Sequence, residues 1–351
     1  MEFFSITILF FFEYNTMREG GFLKKNYFII TVFIFLIIVI TLLLSKFNKP
    51  VKSDLIKVRL AEVTHSVFYA PLYAAIENGY FEEEGIDIEL ILTSGADKVS
   101  AAVLSNTVEV GFAGPESAIY VYENGEKDYL VTFAGLTKRD GQFIVSREKI
   151  DNFKIEDLYG KEILVGRTGG MPALNFLNGV KNSNGDKDKI NINTSIDFAS
   201  LSGSFIGGVG DFVNLFEPNA TKLENEGLGY VVGSVGELSG EMPYTAFYAR
   251  KSYIDNNKET IKKFNAAINK GIKYVIEHSD KEVAEAILDQ FPDNSLNEVE
   301  EIVKRYRDAD SWLDNTTISE ESFKNLENIM IDNELLDDYV PFLELVINLN
   351  E

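Results

Sequence analysis

Residues 56–92 read IKVRLAEVTHSVFYAPLYAAIENGYFEEEGIDIELIL. Ile56, Val58 and Leu60 alternate with charged residues, the pattern of a strand buried on one face. Tyr69 to Asn78 has helical spacing and stops at Gly79, a residue suited to a helix end. Ile86, Ile88, Leu90 and Leu92 then alternate again. The succession predicts a β-α-β unit. The junction between its first strand and its helix holds Thr64, His65, Ser66, Phe68 and Tyr69, and His65 is one of only 2 histidines in the chain.

The rhythm continues outward. Asp97 to Leu104 is helical, 108–114 (VEVGFAG) is a strand, PESAIYVYENG begins a helix on Pro115, and 129–136 (YLVTFAGL) is a strand. Strands alternating with helices imply a largely parallel sheet covered by helices, with ligands beyond the carboxyl ends of the strands. A second run follows: strands at 161–166, 211–218 and 227–235, with a helix in MPALNFLNGV. GQFIVSRE (141–148) and PYTAFYARKSY (243–253) bracket it as extended, hinge-spanning segments. Ser279 with Glu282 and Ser295 with Glu298 form capping-box patterns at two later helix starts. The expected organisation is one lobe from 56–141 plus 246–351 and a second from 142–245.

Composition narrows the function. The 351 residues carry a formal net charge of −22, with 45% hydrophobic and 25% charged residues, as in a globular protein. No basic stripe exists to displace counterions, which argues against nucleic-acid binding. The sequence has 0 Cys, so disulfides, thiolate metal sites, Cys nucleophiles and a lipid-modified Cys are all excluded. Tyr27 to Leu44 is roughly 18 residues without a charge, which suits a membrane-spanning helix. An uncleaved anchor over 27–46 is expected, with a cleaved signal as the alternative and 47–55 as linker. Met17 opens an ordinary basic segment, so within 1–26 the first part, 1–16, reads as a start-site artefact.

Seven phrases carry a resemblance. They are HSVFYAPLYAAIENGYFEEEGIDIEL, GADKVSAAVLSN, VGFAGPESAIY, GLTKRDGQFIVSRE, GRTGGMPAL, GDFVNLFEP and MPYTAFYARKSYI, in that order. From Val58 to about Leu349 the chain resembles the substrate-binding proteins of ABC importers, in the nitrate/sulfonate/thiamine-pyrimidine branch. The resemblance implies an α/β fold of the type II periplasmic-binding-protein-like class: two α/β lobes joined by a hinge, here preceded by one N-terminal transmembrane helix. It also implies closure on a small solute and delivery to a membrane permease with its ATPase. A relative of this kind is usually tethered through a lipidated Cys. This chain has none, so a peptide anchor would replace the lipid and leave the binding domain extracytoplasmic at the cell membrane.

Candidate ligand-binding residues follow from the strand-to-helix turns. At the first turn, Thr64, His65, Ser66, Phe68 and Tyr69 offer hydroxyls, an imidazole and rings; the packing alternative gives Phe68 and Tyr69 to the helix and His65 to a cap. At the second, Gly95 and Ala96 let the backbone pass close to a ligand, while Ser94 and Asp97 cap the helix. At the third, Glu116 suits a solute with N–H donors or positive charge, and Ser117 can donate. In the second lobe Arg167, Thr168, Gly169, Gly170 and Met171 start a helix, without the Lys or spacing of a nucleotide loop. Glu217 contacts solute or bridges the lobes, Asp211 is structural, and Tyr244 is an aromatic lid. Lys138, Arg139 and Asp140 read as a surface turn. Trp312 reads as docking a C-terminal helix on the core.

The function expected is solute binding by a monomer, with no catalytic residues, metal or cofactor. A nitrogen heterocycle such as a thiamine-pyrimidine precursor stands ahead of sulfonate or nitrate. The alternatives are a thiamine-precursor biosynthetic enzyme of the same fold, which resembles a fungal branch using a Cys-rich motif that this chain lacks, and a ligand-sensing ectodomain with a separate output partner.

Overall fold

The structure is a computed structural model that describes residues 55–93 and 95–349. The expected membrane segment 27–46, everything before it, nearly all of the linker, and Ser94 lie outside the described residues. Among the described residues no helix is long and apolar enough to cross a membrane.

Two five-stranded sheets carry the fold. The first has the order β2-β1-β3-β10-β4, built from β1 (Ile56–Glu62), β2 (Ile86–Leu92), β3 (Val110–Ala113), β4 (Leu130–Thr137) and β10 (Thr245–Arg250). The second has the order β7-β6-β8-β5-β9, from β5 (Phe143–Ser146), β6 (Glu162–Leu164), β7 (Asn191–Asn193), β8 (Phe212–Leu215) and β9 (Tyr230–Ser234). The expected parallel β-α-β unit is present: β1 pairs with β2 in parallel, Ile56 opposite Ile86 through Glu62 opposite Leu92.

Neither sheet is wholly parallel. β10 lies antiparallel between β3 and β4, and β5 lies antiparallel between β8 and β9. Both strands flank the crossings between sheets, at 138–142 and 235–244. Sequence periodicity identifies such strands but carries no information on which neighbours a returning chain enters between.

The core explains the strand composition. Val58 and Leu60 are buried, and so are Ala61 and Glu62, because helices cover both faces of the first sheet. Phe112 stacks on Phe247 with centroids 4.3 Å apart, and Phe264 meets Phe247 and Phe133 edge-on at 5.2 and 5.5 Å. Phe264 belongs to the helix Lys258–Glu277, so these rings fix that helix on the sheet. Both capping boxes form: Ser279 with Glu282 starts the helix Asp280–Ile287, and Ser295 with Glu298 starts Leu296–Asp308.

The turn at Lys138–Asp140 departs from the surface reading. Lys138 and Arg139 do reach out to Asp310, at 2.8 and 3.5 Å. Asp140, however, is buried, accepts a hydrogen bond from the Gln142 backbone N–H at 2.7 Å and lies beside the Tyr244 phenol. Burial holds its carboxyl well above the usual range. The crossing itself passes through the interior, which a run of three charged residues gives no means of detecting. Trp312 is buried and donates its indole N–H to the Phe68 carbonyl at 2.8 Å. It anchors the extended segment after the helix Leu296–Asp308, rather than a helix, against the hinge. Asp211 caps a strand start by accepting from the Glu162 N–H at 2.9 Å, a structural role.

Candidate functional site

The carboxyl ends of β1, β2, β3, β6 and β8 converge on one cavity of about 250 Å³ between the sheets. Thr64 follows β1. Gly95 and Ala96 open the helix Ala96–Leu104 after β2. Gly114 and Glu116 start the helix Glu116–Glu123 after β3. Arg167, Gly170 and Met171 lead into the helix Met171–Asn182 after β6. Tyr69, Phe198, Phe216 and Tyr244 supply the aromatic walls. The arrangement follows from the β-α direction of both sheets: helix N-termini, with their free N–H groups, face the same side.

Glu116 dominates the electrostatics. It is 2% exposed, and its Oε2 has no hydrogen-bond partner among the described residues. Burial pushes its carboxyl up to about 7. The backbone N–H groups of Glu116, Met171 and Ser117 and the charge of Arg167 pull the other way without cancelling that penalty. Gly114 makes room for it: a Cβ there would fall 2.0 Å from Glu116 Oε2 and 2.6 Å from Met171 Cγ. Tyr69 and Tyr244 are buried beside this carboxylate, and both phenols are held above their ordinary range, first by desolvation.

The mouth is bridged from both sides. Arg167 Nη1 lies 3.1 Å from Asp97 Oδ1, and the Tyr120 hydroxyl donates to the Gly169 carbonyl at 3.0 Å. Gly95 adopts φ +107°, and a Cβ there would meet Asp97 Oδ1 at 2.8 Å, so glycine lets the Asp97 carboxylate fold back over its own helix start.

Of the sequence candidates, Thr64, Tyr69, Gly95, Ala96, Glu116, Arg167, Gly170, Met171 and Tyr244 line this cavity. Seven others do not, each for an identifiable reason. His65 is wedged between Tyr73 and Phe291, with centroids 4.8 and 5.0 Å away. Its Nδ1 bonds Glu62 at 2.7 Å and its Nε2 bonds the Gln290 carbonyl at 2.9 Å, making it a strut. Burial alone would depress its pKa, but the hydrogen bond and charge of Glu62 and the Gln290 carbonyl raise it overall. Ser66 caps the short turn Val67–Tyr69 and donates to the Glu217 carbonyl at 2.5 Å. Phe68 is fully buried, 5.0 Å from Tyr306 and 5.4 Å from Phe216.

Ser117 faces the Tyr248 phenol. Thr168 donates to Thr194 Oγ1 at 2.9 Å, tying two loops of the second sheet together, and Gly169 is engaged by Tyr120. Glu217 is a bridge between lobes. Its carboxylate accepts from the Thr221 N–H at 2.8 Å and pairs with Arg305, which also bonds Glu224 at 2.9 Å. Its own N–H donates to the Tyr306 hydroxyl at 3.0 Å.

Sequence reasoning missed Asp197, Phe198, Ala199 and Ser200, which close one wall. They follow β7, a three-residue strand (Asn191–Asn193) with no apolar alternation, so the rule that places ligands after strands had no strand to act on. Among the described residues no group of three or more His, Asp or Glu is placed to hold a metal ion.

Comparisons with known proteins identify the family and match the fold. Residues 67–282 match the family model described as NMT1/THI5 like. The chain is 40% identical over 297 residues to YtlA of Bacillus subtilis (strain 168), covering 84% of this chain and 89% of that protein. It is 22% identical to the formylaminopyrimidine-binding protein of Halalkalibacterium halodurans, over 73% of this chain and 85% of that one. The solved alkanesulfonate-binding protein SsuA of Xanthomonas axonopodis pv. citri superposes with a TM-score of 0.67 at 16% identity, over 84% of this chain and 99% of its own.

Proposed function

Because the chain belongs to the NMT1/THI5 like family, we propose that it is the solute-binding component of an ABC importer. The solute enters between the two sheets and stabilises the closed arrangement by touching both, and a membrane permease with its ATPase reads the closed surface. The binding domain works outside the cytoplasm, tethered as a monomer by the apolar segment 27–46. No bond making or breaking is needed for that role.

The solute we favour is a small planar nitrogen heterocycle bearing N–H donors or positive charge. The observation that carries this is the buried Glu116 oxygen without a partner, set among aromatic rings in a cavity of about 250 Å³. A carboxylate already occupies the convergence of helix N-termini where a small anion would otherwise sit. The relative that binds a formylaminopyrimidine supports the same class. A second reading, a sulfonate or nitrate, draws on Arg167 and Lys98 in the cavity wall. Thermal-shift titration of the full chain with a formylaminopyrimidine, with MOPS and with nitrate separates them, since a ligand of the native state raises its melting temperature. Stabilisation by the pyrimidine alone supports the first reading; stabilisation by an anion alone replaces it with the second; no response to any refutes both.

A further inference from the structure

Arg167 shares the cavity wall with the carboxylates of Asp97 and Glu116, and the structure shows it on one of them. Asp97, from the first sheet's side, holds the guanidinium at 3.1 Å, with both side chains about half exposed at the cavity mouth. Glu116, deeper in the same cavity, forms no ion pair among the described residues although the Arg167 charge acts on it. Besides Arg167, the phenols of Tyr69, Tyr120, Tyr244 and Tyr248 interact with the Glu116 charge, and Asp97, Lys98 and Asp197 stand in the same cavity wall. The Arg167 charge acts on Glu116, and an arginine that reached it would satisfy its free oxygen with a bidentate bond.

We propose that Asp97 is a specificity-determining positioning residue: by clamping Arg167 across the cavity mouth it keeps the Glu116 carboxylate available for the solute's N–H donors. The same clamp joins the two sheets over the solute, alongside the Tyr120–Gly169 bond. The local backbone suits it, since a Cβ at Gly95, which holds φ +107°, would fall 2.8 Å from Asp97 Oδ1. The proposal rests on the cavity being a solute site, and one of its tests needs no solute.

That test is carbon-13 NMR of the full chain with labelled glutamate side chains, the Glu116 signal being assigned by its loss in Glu116→Gln. Asp97→Asn releases Arg167 onto Glu116 and lowers the Glu116 titration midpoint by about 1 unit or more. Losing the Asp97 charge alone would also lower it, so the double variant Asp97→Asn/Arg167→Ala decides. Measured against the single variant Arg167→Ala, the double variant shifts far less than Asp97→Asn shifts the wild-type chain if Asp97 acts through Arg167. An unmoved midpoint in Asp97→Asn, or an equal fall when Asp97→Asn is added to Arg167→Ala, overturns the proposal. The second arm is calorimetric titration with a formylaminopyrimidine. Asp97→Asn weakens it about tenfold and the added Arg167→Ala restores most of that loss, about 1.4 kcal/mol by the standard conversion. A midpoint that moves as stated while no pyrimidine binds leaves the clamp intact and refutes the solute assignment instead. Asp97 is more than half exposed, so its replacement leaves the fold in place.

Discussion

Glu116→Gln removes the charge from the most buried carboxylate in the cavity and keeps its shape. Folding raises the Glu116 midpoint from an ordinary 4.5 to about 7. The native chain therefore holds this proton more tightly than the unfolded chain does. The stabilisation this gives is complete below pH 4.5 and is lost as pH rises through about 7. A difference of about 2.5 units, at about 1.36 kcal/mol each, corresponds to about 3 kcal/mol. Urea unfolding of the full chain and of Glu116→Gln, from pH 4.5 to 8, isolates this group because every other titration is shared. The variant gains about 3 kcal/mol relative to wild type across that window, nearly all of it below pH 7. Any change in hydrogen bonding between the glutamine amide and the neighbouring backbone N–H groups adds an offset independent of pH. A stability difference that is flat between pH 4.5 and 8 would refute the reading of Glu116 as a carboxylate whose burial its neighbours do not cancel. It would also remove the physical basis for a donor-bearing solute.

Three further outcomes follow from the packing. Gly114→Ala drives a methyl onto Glu116 Oε2 and Met171 Cγ, so pyrimidine affinity measured by calorimetry falls by at least about tenfold while the circular dichroism spectrum is unchanged. Arg305→Met leaves Glu217 buried without its cation and costs about 2–3 kcal/mol in urea unfolding, less than a fully buried pair because Arg305 is 31% exposed. Burial already raises the Glu217 carboxyl despite Arg305, so that cost grows as pH rises above the ordinary carboxylate range; a pH-independent cost would contradict it. His65→Ala costs about 2 kcal/mol through its hydrogen bonds to Glu62, Tyr73 and the Gln290 carbonyl and leaves pyrimidine affinity within about twofold. With its pKa raised in the fold, the His65 contribution is full below pH 6.5 and fades as pH rises through the folded midpoint. A large loss of affinity in His65→Ala would return it to the cavity wall.

The strand and helix succession was legible because it is local. Alternation at Ile56 to Leu60 and at Ile86 to Leu92 marks strands, and Gly79 and the two serine–glutamate capping boxes mark helix ends, all through contacts within a few residues. That succession also indicated the side on which ligands collect, since a β-α unit directs its turns to the carboxyl ends of its strands. Glu116, Gly95 and Met171 stand at such turns and line the cavity.

What the sequence determined by itself was therefore most of the element order, the two-lobed class and most of the turns from which the cavity is built. Only the tertiary structure decided which residue of each turn faces inward. Thr64 and Tyr69 line the cavity while His65, Ser66 and Phe68, interleaved with them, turn to Gln290, Glu217 and Tyr306. Those partners lie far along the chain, and so does Arg305, which takes Glu217 out of the site. The orientation of a junction side chain depends on which distant surface packs against it, and no pattern within the junction encodes that surface.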